Sequence, residues 1–254
     1  MKTINHTALI TGGGSGIGLA IARVLSQQGN RVIITGRNEA RLQQAAAELP
    51  GVTPIACDVN DAASVRRLVE RIEAEFGELS LLVNNAGHAA AYELLPGAGA
   101  HAMAEAEMQT NYLAVVRLTE ALLPVLQRQP EAAVVNVSSI VAFVPSAIVP
   151  TYTASKAALH SYTQSLRHTL SQHLPGVKVF ELMPPLVDTE FSAVIGGANG
   201  IAPRQVAEAL LTALEQDVFE IHVGQTADLY RLALANPAQA FAVMNSRFQA
   251  AGAH

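Results

Sequence analysis

The chain has 254 residues, half of them hydrophobic and 15% charged, which is enough apolar material to bury both faces of a large sheet in one domain. A net charge of −5 argues against a nucleic-acid surface, which needs a basic stripe, and no apolar run approaches the roughly 18 residues of a membrane span. The single Cys57 excludes an internal disulfide, no residue cluster has metal-ligand spacing, and no basic segment precedes an apolar stretch at the N-terminus; a soluble cytoplasmic enzyme without a metal is expected.

In chain order, Thr7–Thr11 is a short apolar run ending in glycines, and Ile17, Ala20, Ile21, Val24 and Leu25 follow at helical spacing. Gly29-Asn30 closes that helix and Arg31–Thr35 is a second strand. Asn38 caps a helix through Leu49, which Pro50-Gly51 stops. Val52–Cys57, Asp61–Phe76 and Leu79–Val83 read as strand, helix and strand. A loop at Pro96–Gly99 precedes a long helix to about Gln127. Ala132–Val137 is a buried strand, Thr151–His173 a helix and Val177–Leu182 a strand. Pro184–Pro203 lacks a period and carries Gly196, Gly197 and Gly200, so it is read as a mobile loop and a substrate lid. Pro203–Gln216 is a helix and Val218–Val223 a last strand. A C-terminal helical tail fills 225–254, with helix over Thr226–Ala251 broken at Asn236-Pro237. Seven strands alternating with helices predict an α/β fold in a single domain over 1–254. Its doubly wound parallel sheet has helices on both faces and ligands at the carboxyl ends of the strands.

Two local patterns carry chemistry. TGGGSGIG at Thr11–Gly18 falls between the first strand and first helix, where backbone amides and the helix dipole meet an anion, and a Cβ would block a pyrophosphate. Tyr152 stands four residues before Lys156, on the same helix face, with Ser139 thirteen positions upstream (152 − 139 = 13). An ammonium fixed beside a phenol favours the phenolate, which turns a group of pKa about 10 into an acid/base usable near neutrality. Together the patterns describe an oxidoreductase.

On these motifs the chain resembles the short-chain dehydrogenase/reductase family from Thr7 to about Thr189. The further matches are CDV at Cys57–Val59, NNAG at Asn84–Gly87, Asn111 in QTNYLA and NVSS ending at Ser139. The resemblance implies a Rossmann-type fold and a tetrad of Asn111, Ser139, Tyr152 and Lys156. In it Ser139 binds the substrate oxygen and Tyr152 exchanges its proton. Lys156 lowers the tyrosine pKa and holds the ribose, and Asn111 kinks its helix and positions a water that feeds Lys156. It also implies a dinucleotide held by Gly12, Gly14, Ser15, Gly16, Ile17, Gly18, Arg37, Asn38, Asp58, Val59, Asn85, Ala86, Gly87, Tyr152, Lys156, Pro184, Val187 and Thr189. Gly36-Arg37-Asn38 places a guanidinium where an acidic side chain would repel a 2′-phosphate, so NADP(H) is expected over NAD(H), which stays possible. The expected partners are a small carbonyl or alcohol substrate and a second copy, as a homodimer or homotetramer through the long helix and the Tyr152 helix. No nucleic acid and no membrane are expected.

Two departures from the family stand out. Pro185 replaces the usual glycine in Met183–Thr189, a Pro-Pro that resembles an oxidoreductase subgroup encoded beside teichoic-acid D-alanylation genes. The chain also continues for 31 residues past Val223 (254 − 223). An enoyl reductase would carry its tyrosine at Val149 and an extended-type epimerase a glycine at Ser15. The alternative from another class is a redox-sensing regulator that binds the dinucleotide without turnover; such proteins usually lose the tyrosine or lysine kept here. Expected to line the cleft are His88, Tyr92, Ile140, Phe143, Pro145, Ile148, Pro185, Leu186 and the loop to Gly200, with His88 at its mouth.

Overall fold

Every residue of β1 (Thr7–Thr11) is buried, as a strand covered on both faces must be. The computed structural model describes residues 1–249. From β1 the chain runs through α1 (Gly16–Gln27), β2 (Arg31–Gly36), α2 (Glu39–Ala47), β3 (Val52–Ala56), α3 (Ala62–Glu75) and β4 (Leu79–Asn84). It continues with α4 (Ala100–Met108), α5 (Ala114–Leu126), β5 (Ala132–Val137), α6 (Pro150–His173), β6 (Val177–Met183), α7 (Pro203–Gln216) and β7 (Glu220–His222). Two helices, α8 (Thr226–Ala235) and α9 (Pro237–Gln249), end the described chain. The sheet order is β3-β2-β1-β4-β5-β6-β7, all parallel. The order reverses between β1 and β4, so the loops after those strands part and leave a crevice at the carboxyl edge. This is a single Rossmann-like domain.

The strand period of two sorts each apolar run onto two cores. Ile10, Ile34, Val83, Val135 and Phe180 pack under α1, α2 and α7. Their neighbours Leu9, Ile33, Leu82, Val134 and Val179 pack under α3, α5 and the end of α6. A third, small cluster ties Ile140, Val141 and Val144 to Leu229 and Ala240 of the tail. Cys57 is buried at the end of β3, and burial pushes its thiol pKa up.

Three segments differ from the sequence reading. The long helix over 100–126 is interrupted by a π-helical turn at Gln109–Leu113, whose one buried residue is Asn111. That extra residue per turn is the break expected at this asparagine. The stretch 184–203, which lacks a period in the sequence, carries local structure. It forms 3₁₀ turns at Glu190–Ile195 and Gly197–Asn199, and Asp188 N donates to Ile201 O at 2.9 Å while Ile201 N donates to Leu186 O at 3.0 Å. Two of its glycines are packing glycines: a Cβ on Gly200 would lie 2.6 Å from Leu186 O, and one on Gly197 2.3 Å from Ser192 Oγ. The last strand is shorter than expected, because Val218 and Phe219 are exposed and only Glu220–His222 pair with β6. The helix break at Asn236-Pro237 is present, with Asn236 Oδ1 accepting from Gln239 N at 3.1 Å to start α9. The expected continuation to Ala251, and the rest of the tail, lie outside the described residues.

Candidate active site

The nucleotide end of the crevice is built from backbone. Gly12 and Gly16 turn the chain at φ +65° and +53°, and a Cβ on Gly18 would lie 2.4 Å from Gly12 O and 2.5 Å from Asn85 Nδ2. Ser15 precedes α1 in extended conformation and its side chain makes no capping bond, so the first amides of α1 remain open to an anion. Asn85 Nδ2 donates to Thr11 O at 2.9 Å, and Thr11 Oγ1 accepts from Asn85 N and Ala86 N, both at 2.9 Å. These bonds staple β1 to β4 at the crevice floor. The residues present therefore fit a dinucleotide.

A cavity of about 1010 Å³ runs from this floor past the end of β5. Of the expected binding residues it gathers Gly12, Ser15, Gly16, Ile17, Asn85, Ala86, Gly87, Pro184, Val187 and Thr189 with Ser139, Tyr152 and Lys156. Pro185 does not displace the loop: Pro184 O accepts from Ile140 N at 2.9 Å, and a Cβ on Gly16 would lie 3.2 Å from Thr189 Cγ2. Six expected residues lie outside the lining. Gly18 packs strand against helix, and Gly14 faces Leu42 and Arg41 of α2. Asn38 is spent capping α2, its Oδ1 accepting from Arg41 N at 3.0 Å. Asp58 Oδ1 accepts from Asn60 N at 3.0 Å, and Val59 O accepts from Arg117 Nη1 at 3.2 Å. Arg37 is exposed beyond β2.

At the reacting end, Ser138 and Ser139 point to opposite sides. Ser138 Oγ donates to the fully buried Glu181, whereas Ser139 Oγ accepts from Val141 N at 3.3 Å and shares the cavity lining with Tyr152. Lys156 Nζ donates to Val137 O at 2.8 Å and lies 5.6 Å from the centroid of the Tyr152 ring. The expected lowering of the phenol pKa is not what this geometry produces. Burial raises it well above 10, against a lowering by the Ser139 hydroxyl, and the Glu107 charge raises it further. Burial likewise brings Lys156 down to about 8, opposed by the charge of Glu181.

Asn111 makes three hydrogen bonds: Oδ1 accepts from His88 N, and Nδ2 donates to His88 O and Ser155 Oγ, each at 2.8 Å. It has no bond to Lys156; it ties the loop after β4 to α6 through the neighbouring Ser155. His88 contributes its backbone, and its exposed ring lies outside the lining. Two buried carboxylates escaped the sequence reading. Glu107 Oε1 accepts from Ala90 N at 2.8 Å, and its Oε2 has no partner among the described residues. Glu181 also binds His160, one turn beyond Lys156, at 2.8 Å, and this bond raises the imidazole pKa. A carboxylate inside the buried run VKVFELM was the available signal for Glu181.

The substrate end has walls from distant segments. Tyr92, Ile140, Ile148, Pro185, Leu186 and the Phe191 turn line it as expected; Phe143 and Pro145 do not. Phe143 instead packs edge-on against Tyr230 at 5.0 Å, behind the wall. Leu229 and Leu232 of α8 and Val243 and Met244 of α9 complete the chamber. Asn245 pins α9 in place, accepting from Ala147 N at 2.7 Å and donating to Pro145 O at 3.0 Å. No local pattern marked these tail residues.

The sequence model described as short chain dehydrogenase matches residues 6–200. The chain is 42% identical over 207 residues to the Bacillus subtilis protein named "Uncharacterized oxidoreductase DltE", covering 82% of this chain and 81% of that one. It is 35% identical over 219 residues to an oxidoreductase of Staphylococcus saprophyticus, covering 84% and 92%. A solved short chain dehydrogenase of Burkholderia cenocepacia in complex with NADP superposes with a TM-score of 0.85 at 29% identity, over 96% of this chain and 99% of that one. One from Burkholderia phymatum in complex with NAD shares the fold at 0.80 and 23% identity, covering 87% and 89%. With the glycine turn, the parallel sheet and the Ser139–Tyr152–Lys156 cluster in one crevice, the chain belongs to the short-chain dehydrogenase family of NAD(P)-dependent oxidoreductases.

Proposed function

We propose that the protein interconverts a small carbonyl compound and its alcohol with NADP(H) preferred over NAD(H). The observation that carries this reading is the continuity of one cavity from the open amides of α1 to Ser139 and Tyr152. A bound dihydronicotinamide would supply the hydride that the carbonyl carbon receives. Tyr152 gives its proton to the carbonyl oxygen, and Ser139 donates a hydrogen bond to that oxygen as charge develops. Lys156 holds the ribose hydroxyls, and Asn111 fixes the loop beside it. The apolar walls exclude water from the reacting carbon.

The cofactor preference is supported by Arg37, which has no ion-pair partner among the described residues, and by the absence of a carboxylate at 36–38. Presence of both Tyr152 and Lys156 in the cavity favours turnover over the regulator reading. We read the assembly as a homodimer or homotetramer through α4, α5 and α6, and the location as cytoplasmic. No described helix is long and apolar enough to cross a membrane. Light scattering that returned only a 26.7 kDa species would overturn the assembly. The function is tested by reduced-cofactor oxidation over neutral and charged ketones, aldehydes and quinones, with calorimetric binding of both cofactors. Tight binding of NADPH without oxidation by any carbonyl would overturn it.

A further inference from the structure

Charge is distributed one-sidedly around the chamber. Lys156 is its one cation among the described residues, buried and bonded to Val137 O. Three carboxylates lie on the lining: Glu93, Glu190 and Asp228. Arg41 pairs with Glu190 and Arg231 with Asp228 from outside the lining, and Glu93 has no ion pair among the described residues. Among the described residues no arginine lines the chamber to form a fork with a carboxylate or phosphate of a substrate. An anion entering here would shed its water, meet the unpaired Glu93 and, among the described lining residues, find only the buried Lys156 as a cation.

The apolar inventory points the same way. Phe191, Val194 and Val243 stand at the mouth with 49%, 79% and 49% of their surface exposed. Leu229, Leu232 and Met244 continue the surface inward toward Ser139. An exposed apolar rim leading into an apolar chamber marks a ligand groove, because such a patch otherwise costs solvation. Four of these six residues belong to α8 and α9, and Asn245 fastens α9 to the Pro145–Ala147 loop.

We propose that the site takes an uncharged, largely apolar ketone, or its secondary alcohol, and that the α8–α9 wall held by Asn245 selects it over anionic carbonyl compounds. The proposal rests on the reductase reading above. In the reduction a C–H bond forms from the hydride of the reduced nicotinamide dinucleotide and an O–H bond from the Tyr152 proton. The carbonyl carbon is reduced, the dihydronicotinamide is oxidised, and the phenolate regains a proton from solvent. Selection arises because the neutral chain gains from burial whereas its anionic analogue is repelled.

The experiment compares methyl octyl ketone with the keto acid of the same chain length that carries a terminal carboxylate. The expected kcat/KM favours the neutral ketone by at least about tenfold, mostly through KM. In parallel, the neutral alcohol should raise the Tm of the NADP-loaded protein and the hydroxy acid should not. Leu232→Arg, which offers a cation, should narrow the ratio by improving use of the keto acid. Asn245→Ala, a milder change, should raise KM for the neutral ketone severalfold with a smaller change in kcat and intact cofactor affinity. Equal or better use of the keto acid overturns the substrate class and leaves the reductase reading standing. An unchanged KM in Asn245→Ala overturns the role of the wall. If neither carbonyl is reduced by a protein that binds NADPH, and neither alcohol shifts Tm, the reductase reading falls with it.

Discussion

The two ends of the crevice are made of different materials. The nucleotide end uses glycines and main-chain amides within two short segments, Thr11–Gly18 and Asn84–Gly87, stapled by Thr11 and Asn85. The substrate end uses side chains from the loop after β5, the turns at 190–199 and the tail helices, brought together only by packing. A backbone site tolerates almost no added atom, whereas a side-chain site can be re-lined by substitution. One family can therefore keep the first end and vary the second.

The sharpest way to separate the ends is Tyr152→Phe. It removes the proton donor and leaves the amides of α1 untouched, so turnover should fall about 100- to 10,000-fold with unchanged NADPH affinity by calorimetry. Loss of affinity in step with turnover would show that the two ends are one unit. His160→Leu is expected next in size, since it strands the Glu181 carboxylate in the core with Ser138 alone. Stability to urea should drop by about 3 kcal/mol. The raised His160 pKa adds a pH signature. Its stabilisation is full below the unfolded value of 6.5 and is lost as pH rises through the folded pKa. The wild-type Tm should therefore fall over that window more steeply than the variant's; identical slopes would remove His160 from the account.

Gly18→Ala attacks the other end. Its Cβ meets the Gly12 carbonyl and Asn85, backbone and side chain that cannot both retreat, so a loss of about 1–3 kcal/mol and weaker NADPH binding are expected. A variant with normal denaturant midpoint and normal affinity would show the glycine end to be less rigid than its geometry. The smallest effect is expected from Arg37→Glu. This exposed change should leave stability within about 0.5 kcal/mol and shift the ratio of NADPH to NADH affinity toward NADH. An unmoved ratio would place cofactor choice elsewhere.

The same division explains what could be read from the chain alone. The alternation of strands and helices and the glycine turn follow from period and spacing, which are local, and the thirteen-residue spacing of the family resemblance selects Ser139 over Ser138. Asn38 carries two readings, because a helix cap and a ribose contact call for the same residue type; its Oδ1 caps α2. Glycine signals both freedom and close approach, so the run Gly196–Gly200 reads as flexible from sequence; Leu186 O and Ser192 Oγ add close approach at Gly200 and Gly197. Tyr152 was read against Lys156 alone, whereas its acidity depends on burial and on Glu107, a residue 45 positions away (152 − 107). The Leu229–Met244 wall is tertiary throughout.

Cys57 has a practical consequence. Its thiol is buried and held protonated at neutral pH, so alkylating reagents should pass the native protein by. With no other cysteine in the chain, a single one introduced at exposed Val194 or Val243 becomes the only reactive handle. A fluorophore at either place would report directly on what enters beneath the tail, in a protein that needs no background cysteine removed.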